Sequence, residues 1–434
     1  MRRNVDRAKQ LVGGVDPVLT LAFLALTCIG VLMVYSSSIH ESYAIYGSAL
    51  TIFKKELMWV AIGFIGLAIG IRVPYRWWER IAIPFFVGTT LMLAAVLTHF
   101  GHSSHGASRW ISLGAGITIE PSEVIKLALV IFMASWLTSK GERIKDFKSA
   151  AIPFGMIVGL VALFIVKQPD LGTTIVVCFT MAAVFFVAGA DMRHVALLGG
   201  AAAMFAWYMA HSSTYRTGRL LAFLNPWNDP TGVGFHTVQV LYALGAGGIT
   251  GDGLGNSVQK DVLPAPHTDS ILAVIGEEWG LIGTVLVLIL FLIIAYRGLK
   301  IATNAPNGFA RLLATGITAW ITFQALMNFA VITSSVPFTG VPLPFISYGG
   351  TALIMSMTAV GILLNISRHA TGDVVARQNS NYGRGNGRPR VPRVIDHPVP
   401  DAGTTQPRRE RTKRLPAPAP VRARTSGARS PGIQ

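Results

Sequence analysis

One stretch, residues 263–283, reads LPAPHTDSILAVIGEEWGLIG and brings three acids to the point where a long polar segment becomes an apolar run. Asp269 stands on that threshold. Glu277 and Glu278 follow, roughly 12 Å further along if the stretch is a helix rising about 1.5 Å per residue, and the apolar run 281–295 is still to come. Ionisable groups at such depth in a bilayer cost on the order of 2.5 kcal/mol or more each, so they face a cavity, a partner or a function. Two readings of Asp269 stand side by side. Its carboxylate serves as a general base, or Asp269 or Thr268 simply caps a helix over 270–296.

Cations gather in the same polar segments. Arg109 lies in SSHGASRWISLG, Lys126 just inside the helix that opens at IEPSEVIK, and Arg216, Arg219 and Lys260 in the segment before Asp269. Glu120, Glu123, Asp229, Asp261 and Asp269 are available to pair with them. The functional alternative is a pyrophosphate, which an Arg fork or a Lys point charge recognises. Asp170 in KQPDLGTT repeats the choice between cap and site. Ser347 and Tyr348, at the polar tip of SSVPFTGVPLPFISYGG, either touch a sugar or satisfy backbone groups. His99, His102 and His105 are spaced by three, which allows zinc ligation but fits a polar loop better. Gly245, Gly247, Gly248, Gly251, Gly253 and Gly255 could bring backbone close to a phosphate, yet neither a GxGxxG motif nor a P-loop is present.

The elements that hold these residues belong to a membrane. Half of the 434 residues are hydrophobic, 13% are charged, and the mean hydropathy is +0.51. That composition marks a polytopic membrane protein. Ten apolar segments are expected near 17–36, 57–71, 81–98, 123–138, 150–166, 172–190, 194–210, 270–296, 311–333 and 350–367, making an all-α bundle of about ten transmembrane helices. The segment 211–269, between the seventh and eighth, has no strong helical signal and exceeds what a connector needs. Counting alternate loops puts fifteen Lys and Arg on one side and seven on the other, so both termini, including 1–16, are expected in the cytoplasm and the polar segments outside. Chemistry there has no ATP and must use a substrate that carries its own activation. Residues 368–434 hold 14 Lys plus Arg against 4 Asp plus Glu and are rich in Pro, Gly and Ser, which reads as a disordered basic cytoplasmic tail from 369. Nucleic-acid binding is not expected of it. Cys28 and Cys178 fall inside apolar runs and suggest neither disulfide nor metal.

Six collinear blocks carry a resemblance. They are MVYSSS; GASRWISLG with EPSEVIKLA; KQPDLGTT; FLNPWNDPTGVGFHTVQ; GLGNSVQKDVLPAPHTDSILAVIGEEWGLIG; and PFTGVPLPFISYGGTALI. Together they resemble the SEDS family (shape, elongation, division and sporulation) over about 17–368, with division-type features favoured over elongation-type. The resemblance implies a ten-helix protein of the bacterial cytoplasmic membrane that polymerises lipid II into glycan strands on the outer face. Its implied partners are a class B penicillin-binding protein that crosslinks the strands and other divisome or elongasome membrane proteins. It also implies Asp269 as catalytic residue, with Arg109, Glu123, Lys126, Asp170, Arg216, Arg219, Lys260, His267 and Ser347 as substrate-binding candidates. No cofactor is required, although a divalent cation such as Mg or Mn is a second way to neutralise a diphosphate. Three positions depart from the family pattern: Glu120 stands where Gln is usual, Ser270 where Phe is common after HTD, and Trp279 interrupts the EE run. A lipid II flippase and a non-catalytic scaffold for a penicillin-binding protein are the competing readings.

Overall fold

The structure is a computed structural model that describes residues 14–98, 101–104, 107–112, 118–211 and 214–385, of which 101–104, 107–108, 210–211, 214–216, 219–220 and 370–385 are described as backbone alone. Its helices are α1 (Pro17–Tyr46), α2 (Thr51–Arg72), α3 (Tyr75–Arg80), α4 (Ala82–Ala95), α5 (Pro121–Lys140), α6 (Ile152–Lys167), α7 (Leu171–Val187), α8 (Met192–His211), α9 (Thr214–Leu224), α10 (Phe235–Gly247), α11 (Ile271–Thr303), α12 (Gly308–Ile332) and α13 (Gly350–Gly385). Ten of them coincide with the ten apolar segments; α3, α9 and α10 are additional. Six are long and apolar enough to cross a bilayer on length and composition, and α4 and α7 are shorter apolar helices. A three-stranded antiparallel ribbon, β1 (Gly101–Ser104), β2 (Ala107–Ser112) and β3 (Thr118–Ile119), joins α4 to α5. The last helix continues as backbone to Gly385, past the boundary drawn at 368 from composition. The rest of the basic tail lies outside the described residues, as do His99 and His105.

The middle of the bundle is built from α5, α12 and α13, whose apolar side chains are buried almost all round: Leu127, Leu129, Ile131, Trp320, Met357 and Val360 are at most 1% exposed. One end of the bundle gathers the loops richest in Lys and Arg. There Asp16 caps α1 by accepting from Leu19 N at 3.0 Å, Pro17 opens the helix, and Arg297 at the far end of α11 binds the same carboxylate with Nε at 2.9 and 3.1 Å. Asp16 N also reaches Ser367 Oγ on α13 at 3.3 Å, so three helices meet at one residue.

At the other end the segment 211–269 departs from its sequence expectation, because two helices, α9 and α10, form in it. One of the glycines that weaken the helical signal of α10 is where it packs. A Cβ at Gly247 would lie 2.0 Å from Gly276 O on α11, so only glycine lets the two backbones approach this closely. The helix α11 is itself broken at Gly280, with φ 65° and ψ −161°. The break frees backbone groups that the neighbouring loop satisfies: Asp252 N and Gly253 N donate to the carbonyls of Glu277 and Glu278, while Leu281 N and Ile282 N donate to Gly248 O and Ile249 O, all within 3.0–3.2 Å. Gly247 and Gly251, two of the glycines offered above to a phosphate, are thus used for close backbone approach to α11, as Gly280 is from the other side.

Substituting Gly280→Ala forces a Cβ into the left-handed region and to 2.5 Å from Gly251 N. The expected cost is about 1–3 kcal/mol, seen as a lowered unfolding midpoint in detergent. Gly245→Ala, where a Cβ meets nothing within 4 Å, should leave the midpoint near wild type.

Candidate active site

Asp269 occupies the last turn before α11. Ser270 is the N-terminal boundary residue of that helix and makes no side-chain cap. Thr268 Oγ1 lies 3.0 Å from Asp269 Oδ1, and the half-buried carboxylate faces Gly340, where a Cβ would sit 3.3 Å from Oδ2. Gly340 has φ +68°, which favours glycine there, and it leaves room beside the acid. The main chain of the turn is fixed from two directions. Asn328 Nδ2 on α12 donates to Asp269 O at 3.0 Å and to Val341 O at 2.8 Å, and Tyr348 N donates to His267 O at 2.8 Å.

One turn earlier on α12, Gln324 performs a parallel task. Its Nε2 donates to Pro342 O at 2.9 Å, and its Oε1 accepts from Lys126 Nζ at 2.7 Å and Trp320 Nε1 at 2.8 Å. Lys126 Nζ also bonds Glu123 Oε1 at 2.7 Å, and both side chains are buried. A buried lysine so enclosed holds the loop 334–349 through Gln324. Asn328 and Gln324 were not singled out from sequence, although two amides four residues apart inside an apolar helix are a usable signal.

The remaining expected ligands are placed as follows. Arg109, on β2 and half-buried, donates Nε to Gln168 O at 3.0 Å and Nη2 to Pro169 O at 2.5 Å, clasping the turn where Pro169 has φ 27°. Asp170 caps α7 by accepting from Thr173 N at 3.0 Å and is 4% exposed. Lys260 is buried, with Nζ 2.6 Å from Gly255 O and 3.9 Å from Glu278 Oε1. Glu277 accepts from Val258 N, Gln259 N and Ser257 Oγ, and Glu278 accepts from Ser36 Oγ on α1, so the EE pair anchors a loop and a helix. Ser347 Oγ accepts from Leu343 N at 2.8 Å and closes a turn. His267 is buried, its Nδ1 3.0 Å from Glu41 Oε2 and its ring edge-on to Tyr348. Arg216 and Arg219 ride on α9, with side chains outside the described residues. Asp269, His267 and Ser347 thus share one neighbourhood; Arg109, Asp170, Glu123 and Lys126 form a second one beneath it. Among the described residues, no three His, Cys, Asp or Glu side chains converge as metal ligands.

A residue not named among the expected ligands also meets the turn. His236 Nε2 on α10 lies 2.8 Å from Ser270 Oγ, and Ser270 Oγ is 3.1 Å from Pro264 O. The hydroxyl that stands where Phe is common is thus used to join α10 to the start of α11.

Glu120, just ahead of α5, is pushed up to about 7, first by burial and then by the negative charges of Glu123 and Asp170. The folded chain therefore holds this proton more tightly than the unfolded one, so the stability that Glu120 contributes is complete below about pH 4.5 and lost as pH rises through about 7. Glu120→Gln should match wild type in thermal stability at pH 5 and exceed it at pH 8. For the buried pair, Lys126→Ala strands Glu123 and should cost about 3 kcal/mol or more, with much of the loss recovered in Lys126→Met combined with Glu123→Gln; thermal unfolding in detergent reads both.

Comparison with known proteins places this geometry. The model of the FtsW/RodA/SpoVE family, described as cell cycle protein, matches residues 17–372. A probable peptidoglycan glycosyltransferase FtsW from Geobacter sulfurreducens is 39% identical over 359 residues, covering 82% of this chain and 96% of the relative. Stage V sporulation protein E from Bacillus subtilis is 39% identical over 361 residues, covering 82% and 97%. Among solved structures, a chain from a study titled "Structural coordination of polymerization and crosslinking by a peptidoglycan synthase complex" aligns with TM-score 0.68 and 26% identity, covering 82% of this chain and 98% of that one. The rod shape determining protein RodA of Thermus thermophilus aligns with TM-score 0.62 at 24% identity, covering 82% and 97%, which speaks to the fold alone. Helix order, a polar outer end and sequence agreement from the first helix to the last converge: the chain belongs to the FtsW/RodA/SpoVE family of cell cycle proteins.

Proposed function

We propose that this multi-pass membrane protein is a peptidoglycan glycosyltransferase that polymerises lipid II on the outer face of the bacterial cytoplasmic membrane, in the service of division. The observation that carries the reading is the Asp269 carboxylate, half-buried beside Gly340 on a turn whose main chain is fixed by Asn328 and Tyr348. Relatives named as FtsW carry the peptidoglycan glycosyltransferase activity in their names.

In the reaction, the 4-hydroxyl oxygen of an acceptor sugar attacks the anomeric carbon of a lipid-diphosphate-linked donor. The new C–O bond forms as the bond from the anomeric carbon to the phosphate oxygen breaks, with inversion. Asp269 takes the hydroxyl proton, and the electron pair leaves on the diphosphate. Diphosphate is a good leaving group, so one carboxylate base suffices and no protonating acid is demanded. Charge on the leaving group is met by cations at the outer end, for which Arg109, Arg216 and Arg219 are the candidates. Glu123, Lys126, Asp170, Lys260, His267 and Ser347 act by holding the surrounding turns rather than by touching the sugar. The two termini lie in the cytoplasm, where the basic loops gather at one end of the bundle. A class B penicillin-binding protein is the partner that crosslinks the product, in keeping with the synthase complex among the similar structures.

Asp269→Asn keeps the shape of the side chain and removes the base. With purified lipid II it should slow glycan formation by about 100-fold or more at unchanged thermal stability; wild-type turnover by a folded variant would refute the assignment.

A further inference from the structure

A cavity of about 370 Å³ opens beside the turn that carries Asp269. It is larger than a water pocket and falls within the range of about 300–1,000 Å³ typical of small-molecule sites. Its walls come from four separated pieces of chain: Ala222 on α9; the loop at Gly232 and Val233 running into the first turn of α10 with Phe235, His236 and Thr237; Pro264; and Phe338.

Two of these walls are set in place before any ligand arrives. Asp229 accepts from Gly232 N at 2.9 Å and from Val233 N at 3.1 Å, which closes the loop into a fixed turn. Gly234 follows it, where a Cβ would lie 2.3 Å from Pro226 O, so the chain passes too tightly there for any side chain. On the opposite wall, the imidazole of His236 packs against the ring of Phe338 with centroids 3.8 Å apart. The cavity is tied to the proposed base twice. His236 bonds Ser270, the residue after Asp269, and Phe338 lies two residues before Gly340, which lines the carboxylate.

The lining combines aromatic and proline surface with an imidazole and a hydroxyl. Aromatic faces carry negative potential and attract the weakly positive C–H faces of a pyranose, while His and Thr exchange hydrogen bonds with its hydroxyl or amide groups. A polyprenyl chain would be served by apolar surface alone, and a diphosphate would want cations. Among the described side chains of the lining there are an imidazole and a hydroxyl but no cation.

We propose that this cavity is a saccharide subsite that seats the acceptor sugar, with Phe338 and Pro264 against the ring and His236 and Thr237 bonding its polar groups. It rests on the glycosyltransferase reading above and adds to it where the acceptor lies. The His236–Ser270 bond then fixes the subsite relative to Asp269, so that the 4-hydroxyl is delivered to the carboxylate.

The test uses the full chain in nanodiscs and two probes. One is the N-acetylglucosaminyl-N-acetylmuramic acid disaccharide, which lacks any lipid diphosphate; the other is undecaprenyl diphosphate, which lacks any sugar. Saturation-transfer NMR should show disaccharide binding to wild type and to Asp269→Asn, weakened by at least about fivefold in Phe338→Ala and His236→Ala. His236→Gln, which keeps a hydrogen-bonding group, should retain more binding than His236→Ala. Undecaprenyl diphosphate should bind all of these variants alike, which also shows that they are folded. Absence of disaccharide binding to wild type, or binding indifferent to Phe338 and His236, overturns the subsite; so does a loss of undecaprenyl diphosphate binding in its place. A parallel assay with labelled lipid II separates the two ideas: glycan formation by wild type with an indifferent disaccharide signal sinks only the subsite, whereas no glycan from wild type sinks the glycosyltransferase reading.

Discussion

Irregular backbone at the end of a membrane bundle has to satisfy its carbonyls from within the protein, since lipid offers no hydrogen bonds. Two amides on one face of α12 meet that requirement here. Gln324 takes Pro342 O, and Asn328 takes both Val341 O and Asp269 O. The proline-rich loop 334–349 and the turn before α11 are therefore held by a single helix, and the space between Asp269 and Gly340 is defined by that common support. Lys126 completes the arrangement from α5, because its ammonium fixes the orientation of the Gln324 amide while Glu123 balances its charge. Buried charge at this place is a structural tie whose removal would be felt first in the loop.

The break in α11 extends the same logic. A helix that stops and restarts leaves donors and acceptors open, and the segment 248–253 supplies the missing partners. Glycine at 247, 251 and 280 is the condition for this exchange, since side chains would separate the two backbones. Glu277 and Glu278 sit at the break and bind outward in two directions, to Ser257 and the backbone after it, and to Ser36 on α1. Their depth in the apolar run is explained by these partners.

Much of the architecture was legible because it follows from hydrophobic length: ten apolar runs became ten helices, with their basic loops at one end. The family blocks pointed to the turn at Asp269, which the structure holds between α10, α12 and the loop 334–349. What the sequence could not separate was a cation held for a ligand from one held for a neighbour. Lys126 and Lys260 look alike as isolated positive charges near polar loops, yet each is enclosed by groups brought from distant parts of the chain, Gln324 in one case and Glu278 in the other. Asp170 and Ser347 turned out to make local bonds within four residues, which spacing already allowed. The helix α10 was missed because glycine lowers helical propensity, while the packing that uses Gly247 is visible only once α11 lies beside it. His236 was hidden for a related reason: its partner, Ser270, is thirty-four residues away and looked like a mere departure from the usual pattern.

The helix α1 is fastened at both of its ends. Asp16 joins it to Arg297 and Ser367 at one face of the bundle, and Ser36 and Glu41 join it to Glu278 and His267 toward the other. Thirty residues at about 1.5 Å each make a rod near 45 Å long, tied to its neighbours near both ends. Such a rod is longer than the roughly 30 Å hydrocarbon core of a bilayer. When the surrounding lipid is thinner or thicker than the rod requires, the mismatch has to be absorbed by tilt of the whole bundle or by deformation of the lipid itself, while the two tied ends keep their separation.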